Sequence, residues 1–182
     1  MTIQLILASG SEIRAQMLRN AAVEFQVERP RVDEETIKAA LISEGARPRD
    51  IADTLAEFKA RKISEKFPGD FALGCDQVLD FEGTLLSKPA SVDEAHAQLT
   101  QLSGKRHMLL SAAVLCQDGQ PIWRHVGQVR LQMRMLPPDY LDGYVSRNWN
   151  SIRNSVGAYK LEEEGVRLFT AIDGGSRRVG TD

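Results

Sequence analysis

The segment from Leu73 to Pro89 constrains the fold of this chain more than any other, because it predicts a β-hairpin. An apolar run from Phe71 to Cys75 is typical of a buried strand, and the carboxylate of Asp76 follows it directly. A Glu-Gly pair at positions 82–83 predicts a turn. We therefore expect a buried strand that ends at Asp76 and a return arm that carries Lys88.

This hairpin allows two interpretations. A carboxylate and a lysine side by side on one rim suit a metal-bound phosphate substrate, because Asp76 would hold Mg²⁺ and Lys88 would neutralise phosphate oxygens. Alternatively, Asp76 is an ordinary aspartate at the end of a strand and Lys88 is a solvated surface lysine, with no binding role for either. The hairpin alone leaves both interpretations open.

Length, net charge and cysteine usage limit the kinds of molecule that the chain is expected to bind and the compartment in which it is expected to lie. The chain has 182 residues, enough for one domain or two small lobes, and its net charge of −2 implies no broad attraction to nucleic acid or anionic membranes. Cys75 and Cys116 lie in apolar runs without metal-binding spacing, which indicates reduced core cysteines. The first ten residues lack the basic segment of an export signal, and their apolar run is too short for a membrane span. We expect a cytoplasmic protein.

The N-terminal segment predicts a strand, a tight loop and a helix. An apolar run from Ile3 to Ala8 precedes Ser9, and Ser11 is a natural helix N-cap. Arg14 stands where a capping box would have Glu or Gln, so its charge opposes the helix dipole. Serine hydroxyls, free N–H groups and a guanidinium together make a phosphate site. A chance arginine in an exposed first turn explains the pattern equally well.

Two further helices carry charged residues of interest. One runs from Glu34 to Glu44 and begins with acidic residues, as suits its dipole. The next runs from Asp50 to Lys66, and Lys59 falls inside its apolar arc. A lysine in that position either extends outward along its stem or reaches through the core into a cleft. The apolar arc consists of Ile51, Leu55, Phe58 and Ile63.

The second half of the chain alternates between strand and helix patterns. A capping box at Ser91 predicts a helix that Gly104 closes. The strands that follow have Met133 and Met135 facing inward. The predicted elements are strands over 107–116 and 128–135, a short helix over 137–144, a glycine-bounded loop over 157–165 and a strand over 166–172. The three histidines lack metal-ligand spacing and receive no role.

Several of these segments together resemble the Maf family of nucleoside triphosphate pyrophosphatases. The segments ILASGSEIR, VDEE, LAEFKA, GCDQV followed by SKP, LSGKRH and GAYKLEEEGVRLF occur in the order and approximate spacing of that family. The resemblance implies a two-lobed α/β fold with a mixed sheet, of the Maf or inosine triphosphatase-like type, as a single domain over residues 1–182. It also implies a central cleft for a nucleotide with a divalent cation, Mg²⁺ or Mn²⁺.

The resemblance further implies hydrolysis of a nucleoside triphosphate to the monophosphate and pyrophosphate. Asp76 would then be the base for the attacking water or a metal ligand, with Glu34 as a second carboxylate. The residues expected to hold the triphosphate are Lys59, Lys88, Arg14, Ser9 and Ser11.

Three positions bear on the choice of nucleotide. The pair Asp76-Gln77 and the Glu162 of Lys-Leu-Glu are similar to the subgroup that hydrolyses 7-methyl-GTP, whereas Ile13 matches neither subgroup. In a regular strand neighbouring side chains point to opposite faces. Asp76 and Gln77 would therefore both face the nucleotide only if the strand ends or bulges there.

The resemblance stops near Gly174, after which the chain is polar and unlike the family. A second hypothesis follows from this departure: a nucleotide-binding regulator of cell division, a septum formation inhibitor, that no longer turns over. The intact Asp76, Lys59 and Lys88 favour the enzyme. By resemblance, the chain would form a homodimer.

Overall fold

The computed structural model describes residues 2–174 and confirms an α/β fold with a mixed sheet. The strands are β1 Leu5–Ala8, β2 Gln26–Glu28, β3 Phe71–Phe81, β4 Thr84–Leu86, β5 Arg106–Gln117, β6 Gln120–Met133 and β7 Phe169–Gly174. The α-helices are α1 Glu12–Asn20, α2 Glu34–Ser43, α3 Pro48–Ser64, α4 Val92–Leu102 and α5 Pro138–Ile152. Two short 3-10 helices, Val156–Ala158 and Glu164–Leu168, precede β7.

The hydrogen-bonded order of the sheet is β2-β1-β3-β5-β6-β7, with β4 paired to β3. β1 is parallel to both β2 and β3, whereas β3 is antiparallel to β4 and β6 is antiparallel to β7. Because parallel strands share one direction, the carboxyl ends of β1 and β2 lie at the same edge of the sheet, next to the middle of the longer β3.

The chain divides into two compact units. The first comprises the residues up to Gln77 together with Ser111–Val126, and the second comprises Val78–Leu110 together with the residues from Gly127 onward. The single domain predicted over residues 1–182 stays a prediction.

In the first unit, α3 packs directly on β3. A Cβ built at Gly74 would lie 2.1 Å from the carbonyl oxygen of Ala56 and 2.7 Å from the amide nitrogen of Ala60. Only glycine allows backbone to approach backbone this closely. The same packing buries Ile6 and Ile63, each 1% exposed. Helix α3 is thereby fixed against the strand that carries Asp76.

Polar contacts hold the other side of α3 to the turn between β5 and β6. The guanidinium of Arg61 donates to the carbonyl of Gly119 at 3.1 Å, and the Gly119 amide donates to the Ser64 hydroxyl at 2.9 Å. Arg124 on β6 bonds the carboxylates of Asp53 and Glu57 on α3 at 2.7 and 2.5 Å. These contacts restrain α3 along most of its length.

The second unit has its own hydrophobic core, built from α4, α5 and the strand segments around them. Its largest fully buried side chains include Tyr144, Leu99, Leu131 and Ile152. The hydroxyl of Tyr144 donates to the carbonyl of Ala158 at 3.0 Å, which ties the chain after α5 to this core.

The strand predicted to end at Asp76 instead continues to Phe81, so that expectation was wrong. The apolar run does stop there, but the buried carboxylate has an ion-pair partner in Lys59 and does not need solvent. The predicted turn is correct, because Glu82 and Gly83 both adopt positive φ, 52° and 87°.

Several element boundaries differ from the prediction, and the strand predicted over 128–135 spans Gln120–Met133. The helix predicted to end at Tyr144 continues to Ile152, because Val145 and Ile152 extend its buried stripe. The strand predicted from Val166 begins only at Phe169, since Val166 lies in a 3-10 helix and is 49% exposed.

Some predicted inward-facing residues are exposed. Phe58 is 46% exposed, because α3 buries its alanines and Lys59 against β3 instead. Met135 is 75% exposed, since β6 ends at Met133.

Cys75 and Cys116 are free cysteines, as predicted. Within residues 2–174 no helix combines the length and the apolar character that crossing a bilayer requires. The predicted departure from the family pattern after Gly174 lies outside the described residues.

Candidate active site

Four of the predicted site residues meet in the first unit, where β1 ends beside the middle of β3. The register pairs Ala8 with Gly74, so Ser9 and Cys75 lie level at the edge of the sheet and Asp76 follows at once. Lys59 comes from α3 and Arg14 from α1, the two helices next to these strands. In open α/β sheets, ligands bind outside this edge.

Lys59 is the buried cation of the cluster, with only 5% of its surface exposed. Its ammonium lies 2.9 Å from the Asp76 carboxylate and 2.7 Å from the Glu34 carboxylate. It also donates to the carbonyl oxygen of Cys75 at 3.3 Å. All three ammonium protons therefore have acceptors. Of the two orientations that the sequence left open, the structure has the inward one.

Asp76 is buried, and its pKa is raised above the ordinary value of 3.8. The main cause is loss of solvent around the carboxylate, which opposes ionisation. The charge of Lys59 and its hydrogen bond favour the ionised form, and the nearby Glu34 carboxylate opposes it. A carboxylate with a raised pKa is a better proton acceptor than one in water.

The loop between β1 and α1 forms a compact polar network. The hydroxyl of Ser9, only 4% exposed, accepts from the Ser11 amide at 3.1 Å and from the Arg14 guanidinium at 3.3 Å. The Ser11 hydroxyl accepts from the Arg14 amide at 3.4 Å, which confirms Ser11 as the N-cap. The guanidinium thus bends back over the start of its own helix, beside the free N–H groups of the first turn.

The carbonyl oxygen of Cys75 joins the two halves of this cluster, and sequence reasoning missed it. It accepts from Arg14 at 3.1 Å and from Lys59 at 3.3 Å. A backbone carbonyl has no side-chain signature, so no sequence pattern would have singled it out. Burial meanwhile raises the pKa of the Cys75 thiol, which keeps the sulfur neutral.

The carboxylates available for a metal are Asp76 and Glu34, which share Lys59. Within residues 2–174 no group of three or more histidine, cysteine, aspartate or glutamate side chains could hold a metal ion. Mg²⁺ is commonly held by one or two carboxylates together with substrate phosphates and water. The donor set therefore fits a metal that arrives with a phosphate substrate, and not one enclosed by protein ligands alone.

Gln77 and Ile13 lie in the same unit but project differently from the buried cluster. Gln77 is exposed, and its amide donates to the Ser111 hydroxyl at 3.0 Å. Because β3 continues through this point, Gln77 faces away from Asp76. Ile13 lies in the first turn of α1 and is 42% exposed. The role of both in nucleotide choice stays a prediction.

Lys88 and Glu162 belong to the second unit. Lys88 is exposed and follows β4, next to the buried Pro89. Glu162 is exposed and has no hydrogen bond or ion pair with any residue in the range 2–174. Its two neighbours are engaged: Glu163 accepts from Ser151, and Glu164 accepts from Arg147 and Asn148.

The loop that carries Glu162 is held firmly at both ends. Tyr159 is buried and its hydroxyl lies 2.7 Å from the His107 ring, whose pKa burial lowers to about 4. A Cβ at Gly165 would lie 2.5 Å from the carbonyl of Lys160, so the loop closes tightly on itself. Within residues 2–174, Glu162 is therefore an unpaired carboxylate on a loop whose two ends are packed.

Comparison with known proteins identifies relatives over nearly the whole chain. A family model described as Maf-like protein matches residues 4–179. A nucleoside triphosphate pyrophosphatase of Ruegeria pomeroyi is 70% identical over 174 residues, which cover 96% of this chain and 87% of that protein. A 7-methyl-GTP pyrophosphatase of Brucella abortus is 42% identical over the same shares of both chains. The solved structure of a HAM1 protein from Coxiella burnetii matches 75% of each chain at 16% identity, with a TM-score of 0.47.

The buried ion pair predicts a specific stability effect. Lys59→Met removes the ammonium and leaves the Asp76 carboxylate buried without its partner, so we expect a loss of about 3 kcal/mol in the free energy of unfolding near pH 7. The loss should shrink in acid. A carboxyl whose pKa is raised on folding stabilises the folded state when it is protonated and loses that contribution as the pH rises. In acid, Asp76 is therefore neutral and leaves no unpaired buried charge. Urea denaturation at two pH values measures both effects.

Lys62→Met is the matched control, since Lys62 lies on the same helix but is exposed. Adding Asp76→Asn to Lys59→Met should restore much of the lost stability, because no buried charge is then left unpaired. Equal losses for the Lys59 and Lys62 variants would contradict the buried pair.

Proposed function

The chain belongs to the Maf-like protein family, and on this premise we propose that it cleaves the bond between the α- and β-phosphates of a nucleoside triphosphate. The chain is a nucleoside triphosphate pyrophosphatase, since a relative of that name is 70% identical over 96% of this chain. The products are a nucleoside monophosphate and pyrophosphate.

The observation that carries this proposal is the buried pair of Lys59 and Asp76 beside the phosphate-binding geometry of the loop before α1. The 2.9 Å contact between the Lys59 ammonium and the Asp76 carboxylate fixes one oxygen of the carboxylate. The other oxygen remains available as a base. The Arg14 guanidinium and the first-turn N–H groups of α1 lie at the same edge of the sheet and suit an anion.

Asp76 acts as the general base in this account. The oxygen of a water molecule attacks the α-phosphorus, and its proton passes to the free carboxylate oxygen of Asp76. The bond from the α-phosphorus to the bridging oxygen breaks, and the electron pair leaves with pyrophosphate. The raised pKa of Asp76 helps, because it brings the base closer to neutral pH.

The cations of the site stabilise the charge that moves onto the leaving pyrophosphate. Lys59 orients Asp76, and Arg14 and Lys88 bind phosphate oxygens, with hydrogen bonds from Ser9 and Ser11. Such fixed positive groups contribute most of the catalysis in phosphoryl transfer. A divalent cation, Mg²⁺ or Mn²⁺, bound by Asp76 and Glu34 would neutralise further phosphate charge.

We further propose 7-methyl-GTP as the nucleotide. The support is the free carboxylate of Glu162 on its rigid loop and the 42% identical Brucella relative named for that substrate. A carboxylate can accept hydrogen bonds from the N1–H and N2–H₂ edge of guanine. The methyl group at N7 makes the purine cationic, which a nearby carboxylate favours further.

The alternative, a regulator of cell division that binds a nucleotide without turnover, draws its support from the chain after Gly174, outside the described residues. The buried Lys59–Asp76 pair weighs against it, because a site that only binds has no need of a positioned base. Measuring pyrophosphate release from a panel of triphosphates with Mg²⁺ separates the two: release supports the enzyme, and binding without release supports the regulator.

Asp76→Asn tests the assigned base. The amide keeps the shape of the side chain but cannot accept the proton, so kcat should fall by roughly 10²- to 10⁴-fold while substrate binding survives in part. Asp80→Asn, also on β3, is the control and should remain within a few-fold of the parent. An Asp76 variant that turns over as fast as the Asp80 variant would show that another group is the base.

Glu162→Gln tests the proposed preference for the 7-methylguanine nucleobase. The substitution keeps the volume and one acceptor but deletes the charge, so the preference for 7-methyl-GTP over GTP in kcat/KM should fall by roughly tenfold. Hydrolysis of dTTP and UTP should be unchanged or improved. Glu24→Gln, at another exposed glutamate, is the control. If the parent prefers dTTP or UTP, the nucleotide assignment is wrong although the pyrophosphatase chemistry can stand.

A further inference from the structure

A second guanidinium lies on the loop between β1 and α1. A Cβ built at Gly10 would come within 2.5 Å of the Nε atom of Arg29 and 2.8 Å of its Nη2 atom. The Arg29 side chain therefore occupies the space that any larger residue at position 10 would fill. Gly10 lies between Ser9 and Ser11, so this guanidinium rests on the same loop that Arg14 contacts from within α1.

The sheet explains why Arg29 reaches that loop. β2 is parallel to β1, and the register pairs Glu28 with Ala8. Arg29 directly follows β2 as Ser9 directly follows β1, so both lie at the carboxyl edge of this strand pair, level with Cys75 on β3 and one residue before Asp76. This is the edge at which open α/β sheets bind ligands.

Arg29 differs from Arg14 and Lys59 in its hydrogen bonding. Within residues 2–174 it forms no ion pair and no side-chain hydrogen bond. By contrast, one guanidinium nitrogen of Arg14 donates to the Ser9 hydroxyl and to the Cys75 carbonyl oxygen. Each ammonium proton of Lys59 has an acceptor. Arg29 thus retains its full set of donors for a ligand, in a planar fork that matches phosphate oxygens.

We infer that Arg29 binds the terminal phosphates of the substrate, which become the pyrophosphate product. This inference rests on the proposed hydrolysis at Asp76. β2 and β3 are separated by β1, so Arg29 lies about 10 Å from the strand of Asp76 at the usual strand spacing. The reacting α-phosphate belongs beside Asp76. A guanidinium farther along the edge would bind the anionic phosphate chain of the substrate and not its nucleoside.

The test uses calorimetry to measure the binding of inorganic tripolyphosphate to the parent and to Arg29→Ala. We expect the variant to lose roughly 10- to 100-fold in affinity, as for removal of a charged hydrogen bond. Arg29→Lys should recover part of the loss, since it keeps the charge without the fork. Arg49→Ala is the matched control, because it removes an exposed arginine from the first turn of α3.

Gly10→Ala provides an independent variant that leaves every charge in place. Its methyl group takes the space of the Arg29 guanidinium and displaces it, so tripolyphosphate binding should weaken. Adding Arg29→Ala to Gly10→Ala should then cause little further loss, because both act on the same contact. Additive losses, or an Arg29→Ala variant that binds like Arg49→Ala, would overturn the inference, as would a parent that does not bind tripolyphosphate.

In the assay of turnover, Arg29→Ala should weaken inhibition by pyrophosphate but not inhibition by the nucleoside monophosphate. The binding and turnover experiments fail separately. A parent that binds tripolyphosphate through Arg29 but releases no pyrophosphate would refute the proposed hydrolysis and leave the Arg29 site intact. A parent that releases pyrophosphate while Arg29→Ala matches the control would refute only the role of Arg29.

Discussion

The first unit depends on one buried ammonium. Lys59 is 5% exposed and contacts the Asp76 and Glu34 carboxylates and the Cys75 carbonyl oxygen. Taking a charge out of water is expensive unless its partners are placed closely, so the elements that supply those partners must hold their positions. The close contact of α3 with Gly74 and the ion pairs of Arg124 do this. The position of the Asp76 carboxylate is thereby set by the packing of a helix on a strand.

The parallel strands place further polar and cationic side chains beside that arrangement, where we propose that the phosphates bind. Two strand ends lie beside the middle of a third strand: β1 leads into the serine loop, β2 is followed by Arg29, and β3 carries Asp76 as it continues past them. Residues far apart in sequence are neighbours there because register, and not sequence distance, determines which side chains are level. Positive groups thus follow the edge away from Asp76, which is the direction in which we propose that the leaving pyrophosphate lies.

Sequence patterns predicted most of the elements and the Ser11 cap, because caps and periodicity are local, whereas the side chains of the buried cluster were named by the family resemblance. They failed where tertiary contacts decide. The apolar run before Asp76 indicated a strand end, but Lys59 satisfies the carboxylate and β3 continues. Phe58 was assigned inward because the pattern cannot show that Gly74 draws the alanine face of α3 onto β3. Arg29 gave no signal, since its place follows from the strand register alone.

The central claim is that Asp76, with its pKa raised by burial and restrained by Lys59, is the base. The pH dependence of kcat/KM tests it most directly. The acidic limb should have an apparent pKa above 3.8, the ordinary aspartate value, because the base must be ionised to act. Lys59→Met should move this limb to higher pH, since the ammonium favours the ionised carboxylate. A limb that Lys59→Met leaves in place, or moves to lower pH, would contradict the assignment of Asp76 as the base.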